Sequence, residues 1–183
     1  SRFGDIAVMQ EPDASIPYGE DCLGDWSQKY TFLMQFTDGN RIDLTFQALP
    51  LAKRVYGEDR LTLPLLDKDG ILPPIPPPDD MDYRVKRPDE MQFCNCCNEF
   101  WWVSPYIAKG LARHEILYAM DHFDNCVRPM LLRMLSWLAA IPTEFTVSVG
   151  KSYKYLPTFL PDDIYKQLLA TYPPAEETAM WRA

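Results

Sequence analysis

Carboxylate side chains are the groups in this sequence best suited to hold a positively charged ligand. The chain has 183 residues and a formal net charge of -8, and carboxylates that line a cleft concentrate cations there. Asp121 and Asp124 are three residues apart and would share one face of a helix, and Glu99 and Glu115 are further candidates. For Asp124 the alternative is a surface ion pair with Arg128, four residues later. The acidic balance also argues against a nucleic-acid partner, which requires clustered Lys and Arg.

Cysteines form a second group that could do chemistry. Cys94, Cys96 and Cys97 lie within four positions, a spacing that raises the question of a zinc site. Structural zinc sites combine two separated Cys or His clusters, and the sequence has no second cluster, because its two histidines are eight residues apart. We therefore favour three small buried side chains on a helix. The odd total of five cysteines is a poor disulfide framework and predicts a reducing, cytoplasmic location.

The first half of the chain is predicted to consist of strands and turns. Apolar residues alternate with other residues over 30–36 and again over 41–47, and the Asp38-Gly39 pair between these runs predicts a β-hairpin. On its second strand, Asp43 would share a face with Arg41 and Thr45, opposite three apolar side chains. The remaining predictions are a strand at 5–10, mostly loop at 11–28, a short helix at 50–56, and a strand or extended segment at 61–66.

A proline-rich run separates the two halves. The sequence PPIPPP at residues 73–78 cannot continue a helix or a central strand, so it predicts an extended connector. We place the domain boundary here, with residues 1–87, including the connector, in one domain and residues 88–183 in a second, helical domain. The alternative is a proline-rich ligand for another protein.

The second half has helical periodicity. We predict one helix from Pro88 to about Ala108, disturbed at Pro105, with Gly110 ending or bending it. A second helix would start near Leu111, bend at Pro129 and stop at Pro142, and a third would cover 161–171. The apolar stripe of the second helix has three- and four-residue spacing and comprises Met120, Phe123, Val127, Met130, Met134 and Leu138.

Two further expectations concern apolar residues. Trp101 and Trp102 could stack on a sugar or an adenine, but burial in the helical core is the favoured interpretation. No apolar run approaches the roughly 20 residues that a membrane-spanning helix needs, so we expect no membrane partner.

Five segments of the sequence carry a family resemblance. They are FGDIAVMQEPD at 3–13, DGNRIDLTF at 38–46, LLDKD at 65–69, CCNEFWWVS at 96–104 and VGKSYKYL at 149–156. Together they closely resemble the aminoglycoside 6-adenylyltransferases, the streptomycin adenylyltransferase family. The resemblance implies an α+β fold, in which part of a nucleotidyltransferase domain with a mixed β-sheet is followed by a helical bundle that binds substrate and nucleotide. It also implies transfer of AMP from ATP, with Mg²⁺, to the 6-hydroxyl of streptomycin, and hence antibiotic resistance.

The resemblance also suggests roles for individual residues. Three carboxylates on adjacent strands hold the metal in this superfamily, and Asp43 matches the third of them, as metal ligand and general base. Lys151 lies in a Gly-Lys turn of the kind that approaches nucleotide phosphates, with Lys154 assisting. This turn is not a Walker P-loop, because the upstream glycines are missing. The four carboxylates named above become candidates for binding the guanidinium groups of streptomycin.

Family members also have a Gly-Ser turn followed by two aspartates one residue apart, and this combination is not present in these 183 residues. We therefore expect the chain to be a fragment that is inactive by itself, from a protein that is a monomer or a homodimer. Two alternatives stay open. One is an adenylyltransferase that modifies a different small molecule, and the other is a non-catalytic remnant that binds an aminoglycoside or a partner chain.

Overall fold

The computed structural model describes residues 4–11 and 27–183. The chain divides into two compact units, one up to Asp79 and one from Asp80 onward. A three-stranded antiparallel sheet dominates the described part of the first unit, and helices make up the second. The predicted α+β fold class is therefore confirmed. Among the described residues, no helix has both the length and the apolar character needed to cross a membrane.

The sheet has the strand order β1-β2-β3, with β1 at Ile6–Gln10, β2 at Lys29–Phe36 and β3 at Arg41–Gln47. Alternation along β2 and β3 gathers the apolar side chains other than Leu33 on one face, where the rings of Phe32 and Phe46 meet edge to face at 6.3 Å. The other face carries polar residues, among them Thr31 and Thr45, whose hydroxyls hydrogen-bond at 2.9 Å. The two faces differ as the period-2 pattern predicts.

The turn between β2 and β3 fixes their register. Phe36 N–H donates to the Asn40 carbonyl at 2.9 Å, and Gly39 takes a positive φ of 85°, which glycine adopts without steric cost. The Asp38 carboxylate accepts hydrogen bonds from the Asn40 backbone at 3.0 Å and its side chain at 2.8 Å. These bonds lower the pKa of Asp38. The predicted hairpin is confirmed, down to the Asp-Gly pair that turns it.

The rest of the first unit contains little regular structure. Helix α1 runs over Leu49–Val55, close to the predicted span. Residues 62–67 form no strand, so the strand alternative for this segment is wrong. The proline-rich run is tied to its own unit, because Ile75 lies against Gly57 and the Arg60 guanidinium pairs with Asp79 at 3.0 Å.

Six α-helices form the second unit: α2 at Glu90–Ala112, α3 at Ile116–His122, α4 at Arg128–Ala140, α5 at Leu156–Phe159, α6 at Asp162–Ala170 and α7 at Glu177–Arg182. One core cluster joins α4, α5 and α6 through Leu135, Leu156 and Leu168. A second joins α2, α3 and α7 through Leu111, Ala119 and Met180. The predicted third helix is confirmed as α6.

Helix α2 begins two residues later than predicted. Asp89 is its N-cap, and it forms a capping box with Gln92: Gln92 N–H donates to the Asp89 carboxylate at 2.7 Å, and Asp89 N–H donates to the Gln92 side chain at 3.1 Å. Pro88 therefore lies outside the helix. Two reciprocal hydrogen bonds at Asp89 outweigh the preference of proline for the first helical position.

Gly110 lies inside α2, so of the two predicted alternatives, a helix end and a bend, the helix end at Gly110 is wrong. It is buried inside the helix, and a Cβ at this position would lie 2.9 Å from a Tyr118 ring carbon and 3.1 Å from the Ala119 Cβ. Its role is to let α3 pack closely against α2. The helix ends after Ala112, where His114 takes the left-handed conformation with φ of 61° and Glu115 N–H donates to the Gly110 carbonyl at 2.9 Å.

The predicted second helix is divided by a π-helical turn at Phe123–Val127, between α3 and α4. Pro129 follows this turn and lacks the N–H that would bond to the fourth preceding carbonyl, so the distortion falls just before proline. The wider turn changes which face of α4 meets the core. Leu135 and Ala139 are buried there, whereas Leu138 of the predicted stripe is 43% exposed.

Candidate functional site

Asp43 lies in the middle of β3, on the polar face of the sheet. Its Cα is paired with that of Leu33 on β2, and its neighbours on the same face of β3 are Arg41 and Thr45. The carboxylate is about half exposed, at 46% of its side-chain surface. The sequence therefore predicted both the strand and the face of this residue.

Arg41 holds the Asp43 carboxylate in a bidentate ion pair. The Nε–Oδ1 distance is 2.7 Å and the Nη2–Oδ2 distance is 2.9 Å. Hydrogen bonding to Asp43 raises the pKa of Arg41. Each carboxylate oxygen has two lone pairs, so the pair with Arg41 fixes the carboxylate and leaves further acceptor capacity. Arg41 was not predicted as a site residue, although its place two residues before Asp43 on the same strand face was a usable signal.

A complete metal site is not found among the described residues, where no three His, Cys, Asp or Glu side chains come together. Asp43 is the carboxylate there that matches the set implied by the family resemblance. One carboxylate with a bidentate arginine does not make a Mg²⁺ site, because this ion requires near-octahedral oxygen coordination.

Lys151 and Lys154 lie in a tightly bent loop between α4 and α5. Gly150 has a positive φ of 72°, and a Cβ there would lie 2.6 Å from a ring carbon of Tyr155. Below the loop, Val149 and Tyr153 pack on the core cluster of α4, α5 and α6. The loop is thus fixed by its apolar residues, while both lysines are exposed.

The two lysines have different surroundings. The Lys154 Nζ lies 4.7 Å from the centre of the Tyr155 ring, a cation–π distance. Among the described residues, Lys151 has no ion-pair partner. A lysine on a fixed loop with no internal partner can offer its charge to an anionic ligand.

Asp121 and Asp124 are bonded to different partners. The Asn125 side chain donates to Asp121 at 2.8 Å, and the Arg128 guanidinium donates to Asp124 at 3.0 Å. The alternative ion pair between Asp124 and Arg128 is therefore formed. It is not a simple surface pair, because Arg128 is only 7% exposed whereas Asp124 is 49% exposed.

Arg128 joins the start of α4 to the end of α6. Its Nη2 donates to the Thr171 carbonyl at 2.7 Å and its Nη1 to the Thr171 hydroxyl at 3.0 Å. Its guanidinium carbon lies 3.6 Å from the Tyr172 ring centre and 4.5 Å from that of Phe123. Sequence analysis considered Arg128 only as a partner of Asp124, because its contacts with Thr171 and Tyr172 join residues more than 40 positions apart.

Glu99, Trp101 and Trp102 line an open depression of about 580 Å³ on α2, together with Asn95 and Asn98. Both tryptophans are 70% exposed, so the expectation that they are buried is wrong. The reason is geometric. Cys96 and Val103 occupy the buried side of α2, and successive residues on a helix are 100° apart, which turns Trp101 and Trp102 away from that side.

Glu115 precedes α3 and is exposed. Its backbone joins the two helices, since its N–H donates to the Gly110 carbonyl at 2.9 Å and its carbonyl accepts from Ala119 at 3.0 Å. Its side chain does not cap α3. The four predicted substrate carboxylates thus differ in their surroundings, and Glu99 alone lies in the depression on α2.

The cysteines do not converge. Cys96 is buried and its thiol donates to the Met130 carbonyl at 3.4 Å, whereas Cys94 is exposed and Cys97 is intermediate. Burial raises the pKa of the Cys96 thiol. The expectation of three buried cysteines is wrong for Cys94, because a residue two positions before the buried Cys96 lies on nearly the opposite side of the helix.

A family model described as streptomycin adenylyltransferase matches residues 1–183 of the chain. Curated aminoglycoside 6-adenylyltransferases are also similar. One from Campylobacter jejuni is 38% identical over 99% of the chain and 61% of the relative. One from Staphylococcus aureus is 41% identical over 94% and 60%, respectively.

A relative from Bacillus subtilis (strain 168) is 38% identical over 99% of the chain and 63% of its own length. The crystal structure of an aminoglycoside 6-adenyltransferase from Bacillus subtilis is similar with a TM-score of 0.51 and 36% identity, over 97% of this chain and 64% of that one. The chain therefore spans about three-fifths of the length of the relatives that it matches.

Proposed function

The chain belongs to the streptomycin adenylyltransferase family, and from this premise we propose that the intact protein transfers AMP from ATP to a hydroxyl of an aminoglycoside. The 6-hydroxyl of streptomycin is the proposed acceptor, and antibiotic resistance is the proposed outcome. The observation that carries the proposal is the similarity of nearly the whole chain to three curated aminoglycoside 6-adenylyltransferases. The fixed, half-exposed carboxylate of Asp43 supports it.

Asp43 acts as general base in this proposal. Its carboxylate removes the proton from the acceptor hydroxyl, the hydroxyl oxygen forms a bond to the α-phosphorus of ATP, and pyrophosphate leaves with the electrons of the broken bond. Arg41 orients the carboxylate by its bidentate contact. When bound, Mg²⁺ would offset the negative charge of the phosphates, with Asp43 as one of its ligands.

The positive charge for the nucleotide comes from the Gly150–Tyr155 loop. Lys151 contacts the phosphates of ATP, and Lys154 assists. Two observations support the role of Lys151 as a phosphate contact: its side chain is exposed, and apolar residues of the loop pack on the core cluster of α4, α5 and α6. The aminoglycoside, a cation, is held by the carboxylates of the second unit, for which Glu99, Glu115, Asp121 and Asp124 are the candidates.

The cellular setting follows from the same chemistry. The cytoplasm contains ATP and keeps thiols reduced. The described cysteines are free thiols, namely Cys94, Cys96, Cys97 and Cys126. We propose a cytoplasmic enzyme, monomeric or homodimeric, that acts on a small molecule and has no nucleic-acid partner. The described helices supply no membrane span.

The test of the base is Asp43→Asn in the intact protein, which keeps the shape of the side chain and removes its charge. General-base catalysis contributes about 10²- to 10⁴-fold to a rate, so streptomycin-dependent pyrophosphate release should fall by that factor. Asp69→Asn is the matched control, because Asp69 is an exposed aspartate of the same unit. A turnover number for Asp43→Asn within a few-fold of the parent contradicts the assignment.

The residues proposed to bind ATP and those proposed to bind the aminoglycoside carry opposite charges, so their substitutions should affect different substrates. Lys151→Ala should raise the Michaelis constant for ATP and leave that for streptomycin unchanged, whereas Asp121→Asn and Asp124→Asn should do the reverse. Loss of one charged contact corresponds to about 10- to 150-fold. Equal effects of one substitution on both substrates would show that the residue supports the fold instead.

A further inference from the structure

We infer that the α2 ledge, the exposed surface formed by Asn95, Asn98, Glu99, Trp101 and Trp102, is where a cationic sugar of the substrate docks, with Trp102 stacking on it and Glu99 pairing with its charge. This inference rests on the proposed function and goes further, because it assigns Glu99 to one cationic sugar of the substrate and adds aromatic specificity residues. The ledge surrounds an open depression of about 580 Å³.

The spacing of the residues builds the ledge. Positions 98, 99 and 102 lie three, four and seven residues after position 95, so the four side chains emerge from one face of α2. Cys96 and Val103 are buried on another side of the same helix. The capping box at Asp89 and the burial of these residues hold α2 in place, so the ledge is a preformed surface.

Glu99 is the carboxylate best placed to receive a cation. Arg128 already offsets the charge of Asp124, and Asn125 donates to Asp121. Within the described part of the chain, the Glu99 side chain has no hydrogen-bond or ion-pair partner. An unpaired carboxylate beside two amide side chains offers a guanidinium or ammonium group one ion pair and several hydrogen bonds.

Trp102 supplies the second half of the recognition. Indole is the best aromatic partner for a cation and also covers the apolar face of a sugar ring. Trp101 and Trp102 are each 70% exposed, although large aromatic side chains are usually mostly buried. Charge complementarity selects the occupant, because one carboxylate beside two indoles, with no cationic side chain among the ledge residues, favours a cationic saccharide over an anionic or a neutral one.

The test measures streptomycin binding to the intact protein by calorimetry, together with the Michaelis constants for streptomycin and ATP. Glu99→Gln should weaken streptomycin binding by about 10- to 150-fold, and Trp102→Ala by about 2- to 30-fold. Trp102→Phe should recover part of the loss. The Michaelis constant for ATP should not change in any of these variants.

Two matched controls share the exposure and the chemistry of the ledge residues but lie elsewhere. Trp181→Ala removes an indole that is 67% exposed on α7, and Glu90→Gln removes an exposed carboxylate nine residues before Glu99 on α2. Both should bind streptomycin like the parent protein. Sucrose, a neutral sugar, should bind to neither the parent nor the variants.

The outcomes distinguish this inference from the proposed function. If the parent transfers AMP and both Glu99→Gln and Trp102→Ala bind streptomycin like the parent, the ledge is not the docking site and the inference is overturned. If the parent transfers no AMP, the proposed function fails. In that case the ledge is still supported if streptomycin binding depends on Glu99 and Trp102, and it is overturned if binding is absent or independent of them.

Discussion

Replacing Arg128 by leucine tests whether a buried guanidinium holds the end of α6 against the start of α4. Leucine keeps an apolar side chain in the same space but removes three hydrogen bonds, to Asp124, the Thr171 hydroxyl and the Thr171 carbonyl. It also removes the cation–π contact with Tyr172 at 3.6 Å. The Thr171 carbonyl, at the C-terminal end of α6, then loses the guanidinium group that donates to it.

The expected loss of stability follows from the exposure of each partner. Hydrogen bonds to a charged group contribute about 1.5–3 kcal/mol each, but Asp124 is half exposed and its ion pair contributes at most about 1 kcal/mol. Relief from burying the charge of Arg128 acts in the opposite direction. The net destabilisation by Arg128→Leu should be about 2–4 kcal/mol, and Arg128→Lys should cost less, because lysine retains the charge but not the planar fork.

The assay is urea unfolding of the intact protein followed by circular dichroism, with hydrogen exchange of the Leu168–Tyr172 amides as a local measure. Asp124→Asn is the companion variant. It should change stability by no more than about 1 kcal/mol, so any large effect on streptomycin binding by Asp124→Asn reports on the ligand. Stability of Arg128→Leu within about 0.5 kcal/mol of the parent, with unchanged exchange at Thr171, would refute the reasoning.

Three further predictions concern the close contacts and thiols of the second unit. Gly110→Ala places a methyl group 2.9 Å from a ring carbon of α3 and should cost about 1–3 kcal/mol in a thermal melt. Gly150→Ala combines a positive φ with a Cβ 2.6 Å from the Tyr155 ring, so it should destabilise by about 1–3 kcal/mol and raise the Michaelis constant for ATP. Iodoacetamide at pH 8 should label exposed Cys94 faster than Cys96, whose buried thiol has a raised pKa, as mass spectrometry of the native protein would measure.

The elements that the sequence predicts well are determined by residues that are close together in the sequence. The hairpin needs only two alternating runs and the Asp38-Gly39 turn, and α6 needs only its acidic first turn and the preceding proline. The face of Asp43 follows from the same alternation. Local signals therefore fix the strand that carries the proposed base.

The errors arise where distant residues decide the structure. Glycine is a common residue at a helix end, but α3 packs against Gly110 and α2 continues to Ala112. The π-helical turn adds width before Pro129 and so moves Leu138 away from the core. The contacts of Arg128 with Thr171 join residues 43 positions apart, and no local pattern reveals such a pair.

The segment CCNEFWWVS shows why average hydrophobicity fails to separate a core from a binding surface. Its nine residues include six that are apolar or aromatic, which favours burial, yet they are distributed around a helix that has only one buried side. Cys96 and Val103 fill that side, and a helix of 3.6 residues per turn must then turn Trp101 and Trp102 outward, beside Glu99 and the two amides. Burying two indoles would contribute several kcal/mol to the free energy of folding. Because they are exposed, a ligand that covers them gains part of this burial free energy on binding. The same nine residues thus anchor α2 in the core on one side and expose two indoles on the other, which is the surface that we infer to dock the substrate.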